Sequence, residues 1–379
     1  MYSSRSVLCR FAPLLSAALA ALALSGCAGR RTAPPPPHLP LTAAWKTLLG
    51  ELVVPPLAVD GRRVYVATRD GAVRALDRTT GAVAWKAEGR PGRLSAANGL
   101  VLVRGEDGTI SSLQPRTGAL RWTSATGIAG ALPAVPDGDR ALVAGRGLAA
   151  LDLASGRILW SDTSGAETTA PPVSSGARLF AGESDGTLRC RDRATGVSLW
   201  TLPTRGTLRA PPLVDASGRR LYLGTTDKRI LEVSLDRGRP GWAWRVGADI
   251  GHPGLLLSDR VLFASFDAVV YALRKGGNLA WRGALPSRPL SAPLSVPGFV
   301  LVACLENDLV AFAPDTGARA GGLRTPAQIQ APPVIAGEFV VMGLRDRSVI
   351  AYGLPGAPSP AEPPPAVEPP PPLAPPAEP

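Results

Sequence analysis

Seven tryptophans, Trp45, Trp85, Trp122, Trp160, Trp200, Trp244 and Trp281, recur at intervals of 37–44 residues. A period near 40 residues belongs to repeat architectures, in which no single unit can bury its own hydrophobic face. The context of the tryptophans repeats as well. Gly81, Gly118, Gly156 and Gly196 stand four residues before Trp85, Trp122, Trp160 and Trp200, and Asp77, Asp152 and Asp192 open a D-x-x-[TS]-G pattern that ends on three of them. In such a turn Asp and Thr bond their own backbone, while Gly supplies the positive φ that closes it.

Ahead of each turn lies a short strand such as VRALD, LAALD, TLRCRD or VVYAL, with apolar and polar positions roughly alternating. Asp70-Gly71, Asp107-Gly108 and Asp185-Gly186 precede such strands as hairpin turns. Before them come apolar strands such as VYVAT, LVLVR and LFAGE, and before those proline-marked segments such as APPVS, APPLVD and APPVIA. Proline is tolerated at the first residue of a strand, where no ladder donor is needed. Each unit is thus four strands joined by short turns, which is a propeller blade.

Eight first, second and third strands can be counted, but only seven fourth strands follow them. The missing one stands at the other end, where Ala43–Thr47 (AAWKT) matches Val83–Ala87 (VAWKA). The expected fold is all-β: an eight-bladed β-propeller of four-stranded blades over residues 42–354, its ring closed by the N-terminal strand. Closure of this kind removes a free sheet edge. The tryptophans are expected to be structural blade-docking residues, each burying roughly 150–250 Å². Gly321 takes the tryptophan slot of the seventh unit, which predicts the weakest junction there. Cys190 fills a small third-strand slot held elsewhere by Ala75, Ser112, Ala150, Ala272, Ala311 and Ala351. Cys304 lies three blades away, so the two are expected to be buried and unpaired.

The N-terminal residues read differently. Residues 1–10 carry Arg5 and Arg10 and no acid, and residues 11–24 (FAPLLSAALAALAL) form an apolar run of signal-peptide length. Leu24-Ser25-Gly26-Cys27 then resembles the bacterial lipobox. That resemblance implies a lipoprotein signal peptide over 1–26 and acylation, palmitate included, at Cys27. Residues 27–41 follow as the lipidated Cys and a Pro-rich tether, and Ala28 after the Cys implies sorting to the outer membrane. Residues 355–379, with many prolines, three Glu and no base, are expected to be a disordered Pro-rich tail.

The formal net charge is +11, yet no dense Lys/Arg run interleaved with aromatics appears, so no nucleic-acid partner is expected. His38 and His252 are the sole histidines, and His38 falls in the tether. The sequence offers no zinc-ligand spacing, no Gly-rich phosphate loop and no Ser/His/Asp set. The expectation is a protein that is not an enzyme, with no catalytic residues, no metal and no cofactor.

The segments DGAVRALDRTTGAVAW, DGTLRCRDRATGVSLW and LAALDLASGRILW resemble the repeats of PQQ-like propellers, and the resemblance covers residues 41–354. One branch of that superfamily, the quinoprotein dehydrogenases, typically uses Ca²⁺, an Asp base and often an adjacent Cys pair. This sequence has no Cys-Cys pair and none of that branch's large insertions. The other branch, the BamB family of outer-membrane assembly lipoproteins, combines an eight-unit ring with a lipobox. Resemblance to it implies an outer-membrane lipoprotein, anchored through its lipid, facing the periplasm and working as a monomer within a complex. Its implied partners are a BamA-like barrel protein and unfolded outer-membrane proteins. The family's Leu/Arg-bearing contact loop falls near residues 161–169 (SDTSGAETT), which contain neither residue. The next inter-blade loop holds Arg205, Leu208 and Arg209, the candidate partner-binding residues. A different envelope adaptor or ligand-sensing propeller, and a PQQ-dependent enzyme, are the alternative readings.

Overall fold

The computed structural model describes residues 41–89, 91–355 and 357. Cys27, the signal peptide, most of the tether and nearly all of the Pro-rich tail lie outside the described residues. The described chain forms eight four-stranded antiparallel sheets. Blades 1 to 7 span residues 53–87, 93–125, 135–162, 173–203, 213–245, 255–284 and 294–324. Blade 8 joins residues 329–353 to the strand Thr42–Leu48, which pairs antiparallel with Ser348–Gly353 from Thr42↔Gly353 to Leu48↔Ser348. The chain is therefore an eight-bladed β-propeller closed by its N-terminal strand.

The turns form for the reasons legible in their residues. The Asp77 carboxylate accepts the backbone N–H groups of Thr79 and Thr80 at 2.9 and 3.0 Å, and Asp192 does the same for Ala194 and Thr195 at 3.0 and 2.8 Å. Second and third strands are almost wholly buried, whereas fourth strands alternate between exposed and half-buried positions. Hydrophobic layers form between neighbouring blades. One such layer joins Tyr65, Val73 and Ala75 of blade 1 to Leu94, Val101 and Leu113 of blade 2.

Each docking indole packs flat on the glycine of the next blade's third-to-fourth turn. A Cβ on Gly156, where φ is +75°, would stand 2.4 Å from the Trp122 ring. The Gly156→Ala variant thus meets two penalties: about 1–2 kcal/mol of left-handed backbone strain and a clash with the indole of the order of 1–3 kcal/mol. Gly50, at φ +80° with nothing within 4 Å of a built Cβ, meets only the first. Chemical denaturation is expected to show Gly156→Ala as clearly more destabilised than Gly50→Ala. Equal losses would mean that the indole contact contributes nothing.

Six indoles, those of Trp45, Trp85, Trp122, Trp160, Trp242 and Trp281, also donate their N–H to a backbone carbonyl in the next blade, at 2.7–3.2 Å. In blade 5 the docking residue is Trp242, not Trp244 as the sequence spacing suggested. Trp242 lies against Gly277 and donates to the Lys275 carbonyl at 3.0 Å. Trp244 sits two residues further along the strand, opposite Ile230. The cause is the fixed length of the turn: Gly238 precedes Trp242 by the same four residues found elsewhere.

Arginines reinforce four of these junctions. Arg63, Arg140, Arg220 and Arg260 open second strands and donate to the carbonyls of Pro115, Arg193, Lys275 and Pro314, the same oxygens that accept from Trp85, Trp160, Trp242 and Trp281. One carbonyl of the following blade thus receives both a guanidinium and an indole, which fixes the angle between blades as well as their distance.

Candidate interaction face

Connections from each fourth strand to the next first strand, together with the second-to-third-strand turns, make up one face of the ring. The loop with Arg205, Leu208 and Arg209 lies on it, between blades 4 and 5. Arg205, at φ +61°, and Arg209 are both exposed. Leu208 is not available to a partner: it is 0% exposed and lies over Gly182, whose built Cβ would meet Leu208 Cβ at 2.6 Å. Leu208 is corrected from a contact residue to an inter-blade plug. Ile128, Ile250 and Ile329 are likewise buried, at multiples of about 40 residues from it, and that recurrence is the sequence signal for the role. The loop itself is held firmly. Thr204 Oγ1 donates to the carbonyl of Gly186 or Gly206, each 2.8 Å away, Thr169 Oγ1 donates to Leu208 O at 2.6 Å, and Arg229 donates to Thr204 O at 2.8 Å. Arg205 and Arg209 therefore project from a fixed frame.

Beneath the neighbouring loop, residues 163–172, lies a charged cluster that sequence reading missed. Glu183 is 1% exposed and takes a two-pronged contact from Arg189, with Nε to Oε1 at 2.6 Å and Nη2 to Oε2 at 2.8 Å. Arg191, 5% exposed, pairs with Asp162 at 2.6 Å, donates to Gly196 O at 3.0 Å and reaches Glu183 at 3.6 Å. Seven other blades carry Leu76, Leu113, Leu151, Val233, Leu273, Phe312 and Tyr352 where blade 4 carries Arg191, as strand register shows. An arginine in an apolar slot persists only when paired, and here two carboxylates pair it. The Ser164 hydroxyl and amide, joined by Arg191, hold the Asp162 carboxyl well down, at about 2. An open cleft of about 440 Å³ borders the cluster and is lined in part by Ser161, Asp162, Gly165, Arg189 and Arg191.

Arg104 is a second hidden cation. It replaces a small residue such as Ala67, Ala144 or Gly182, is 1% exposed, and donates to the carbonyls of Ile128, Gly130 and Leu132 at 2.6–2.9 Å. Burial lowers its pKa to about 10. It serves as the internal scaffold of the loop between blades 2 and 3.

The remaining titratable candidates are spread out. Among the glutamates, Glu183 is buried in its ion pairs, Glu167 and Glu306 are exposed on separate loops, and Glu51 is half-buried. His252 is packed edge-on to Phe266 with ring centroids 5.6 Å apart, its Nε2 lies 3.2 Å from Pro289 O, and burial lowers its pKa. Cys190 and Cys304 are free and buried, and burial pushes their thiols up to about 11 and about 12. The thiolate, the reactive form, is therefore scarce at neutral pH. Among the described residues no group of three or more His, Cys, Asp or Glu side chains is placed to hold a metal ion.

Known proteins share this ring. BamB from Moraxella catarrhalis superposes with a TM-score of 0.72 at 18% identity, covering 83% of this chain and 100% of that one. The computationally designed Ika8 protein superposes with a TM-score of 0.68 at 15% identity, covering 82% of this chain and 99% of that one. In sequence, the outer membrane protein assembly factor BamB of Alkalilimnicola ehrlichii is 31% identical over 196 residues, 48% of this chain and 50% of that protein. The match thus spans about half the length of that curated relative. The family described as outer membrane protein assembly factor BamB matches residues 42–126 and 106–253, more than half of the chain. With its ring, its closing strand and these matched repeats, the chain belongs to the BamB family.

Proposed function

We propose that this chain is a non-enzymatic scaffold of outer-membrane protein assembly, anchored in the outer membrane through a lipid on Cys27 and facing the periplasm. The observation that carries the reading is the family match over residues 42–253, set on a closed eight-bladed ring. The buried charges of blade 4 and Arg104 bond within the ring itself, which suits a rigid scaffold. The partner proposed is a BamA-like component of the barrel-assembly machinery, with unfolded outer-membrane proteins as clients. Its contact is placed at Arg205 and Arg209, which are exposed on a fixed loop.

A second reading, an adaptor for a different envelope protein, draws on one observation: Leu208 is buried, so that loop lacks an exposed Leu beside its arginines. Crosslinked pull-down of the native lipoprotein from its own envelope, with mass spectrometry, separates the two. The scaffold reading expects a BamA-like barrel, with recovery reduced about tenfold or more by Arg205→Glu with Arg209→Glu, since charge reversal at a docking loop costs at least one rim contact and adds repulsion. Recovery of other envelope proteins without that barrel favours the adaptor.

A further inference from the structure

Both ends of the ring open on one face. Thr42 lies opposite Gly353, so the chain enters and leaves the propeller beside the first-to-second and third-to-fourth strand turns, away from Arg205 and Arg209. The 14 residues 28–41 separate that face from Cys27. Even fully extended, so short a Pro-rich segment reaches only about 45 Å.

The two faces differ in charge. Among the described residues, the connections on the chain-end face carry nine basic and seven acidic residues, and those on the opposite face carry eight and thirteen. The seven acids are already engaged. Asp139, Asp215, Asp236, Asp259, Asp315 and Glu338 are ion-paired within 3.7 Å. Asp60 accepts the amides of Arg62 and Arg63 and the Tyr65 hydroxyl. Arg62, Arg116, Arg157, Arg219, Arg237 and Arg239, by contrast, are exposed and form no ion pair among the described residues. Three of these stand together on blade 5, where Leu235 N donates to Arg219 O and Ser234 N to Arg239 O, with Arg237 in the turn between.

We propose that this face docks on an anionic phospholipid surface, its free arginines pairing with lipid phosphates while the acidic face turns away. A guanidinium matches two phosphate oxygens at once and gives up its hydration more readily than an ammonium. Anionic leaflets attract such residues within a Debye length of the surface. Six of the seven acids each have a cation within 3.7 Å, which offsets part of their repulsion at that range. The proposal rests on the lipoprotein reading, because a lipid at Cys27 is what would hold this face near a bilayer.

The test uses the full chain from residue 27 with Cys27→Ser, so that no acyl chain contributes. Co-sedimentation is measured with vesicles of phosphatidylethanolamine and phosphatidylglycerol, and with pure phosphatidylcholine vesicles. Binding is expected to the first and not the second, and to decline as salt rises. The triple variant Arg219→Glu, Arg237→Glu, Arg239→Glu should bind at least about a hundredfold more weakly, from the usual contribution per basic residue near a charged surface. Arg69→Glu, Arg146→Glu, Arg345→Glu on the opposite face makes the same change in net charge and should bind within about twofold of the parent if docking is directional. Equal losses in the two triple variants, no binding to the anionic vesicles at low salt, or tighter binding to duplex DNA than to vesicles would each overturn the proposal. Mass spectrometry of the native protein checks acylation of Cys27 separately. Vesicle binding without acylation would retain the charged face and reject the lipoprotein reading.

Discussion

Deletion of residues 42–48 is expected to lower the melting midpoint by on the order of 8 °C or more, and to make the protein aggregate on heating. Thr42–Leu48 is the fourth strand of blade 8, and Trp45 within it is 8% exposed and packs on Gly81 of blade 1. Losing a buried Trp costs about 3–5 kcal/mol by itself. With unfolding entropy near 2.1 cal/mol/K per residue, 5 kcal/mol moves the midpoint of a ring this size by about 8 °C. Deletion also strips the partner from Ser348–Gly353, whose unpaired edge would then template association. Thermal melts and size-exclusion chromatography read both effects. An unchanged midpoint would mean that seven fourth strands suffice and that the ring needs no closure.

Glu183→Ala should be the most damaging single substitution in blade 4, at about 3–5 kcal/mol, because it takes from half-buried Arg189 its two-pronged partner and from the buried Arg191 one of its two carboxylates. Replacing both members, Glu183→Leu with Arg189→Leu, should recover much of that loss, since apolar groups need no counter-charge. If the pair costs more than either single change, the cluster is held together by something other than its charges. Asp162 gives the same cluster a pH signature. Its carboxyl is lowered from 3.8 to about 2 in the folded ring, chiefly by Ser164, with Arg191 adding to it. A folded value below the unfolded one means the stabilisation is complete above the ordinary carboxylate range and is lost as pH falls toward about 2. Asp162→Asn should therefore cost about 2 kcal/mol at pH 7, and the gap between variant and parent should close near pH 2. Urea denaturation across that range checks the sign, and a gap that widens on acidification would refute it.

What could be read from the sequence was what the repeat forces to be local. A Gly four residues before a Trp, an Asp that caps its own turn and a Pro at a strand start act within one unit, so each copy confirms the others. Trp244 went astray because a 44-residue interval disguises the constant turn length, which Gly238 and Trp242 keep. Leu208 looked like a loop residue because its neighbours are polar, and only its spacing from Ile128 and Ile250 marks it as packed. Arg104 and Arg191 were opaque for a different reason. Arg104's partners, Ile128 to Leu132, come from the loop that follows its own blade, and Arg191's come from the preceding blade, Asp162, and from the turn residue Glu183 of its own, at separations the repeat does not encode. The resemblance carried the family, but it could not say which loop residues point outward.

The ring has eight junctions and seven docking indoles. Blade 7 offers Gly321 opposite Ala311, where the other blades place a Trp, and the reason lies across the seam. An indole there would need the turn between the third and fourth strands of blade 8, and no such turn exists, because the fourth strand is borrowed from the other end of the chain. The seam between blades 7 and 8 is instead filled by Leu41, Leu323, Tyr352 and Leu354. Topology alone has thus made one contact unlike the rest. A circular permutant that joined residue 353 to residue 42 through a D-x-x-T-G turn would supply the missing turn and move the point of opening to wherever the new ends were cut, while Gly321, at φ +153°, would have to change its backbone before a Trp could take the clasp position.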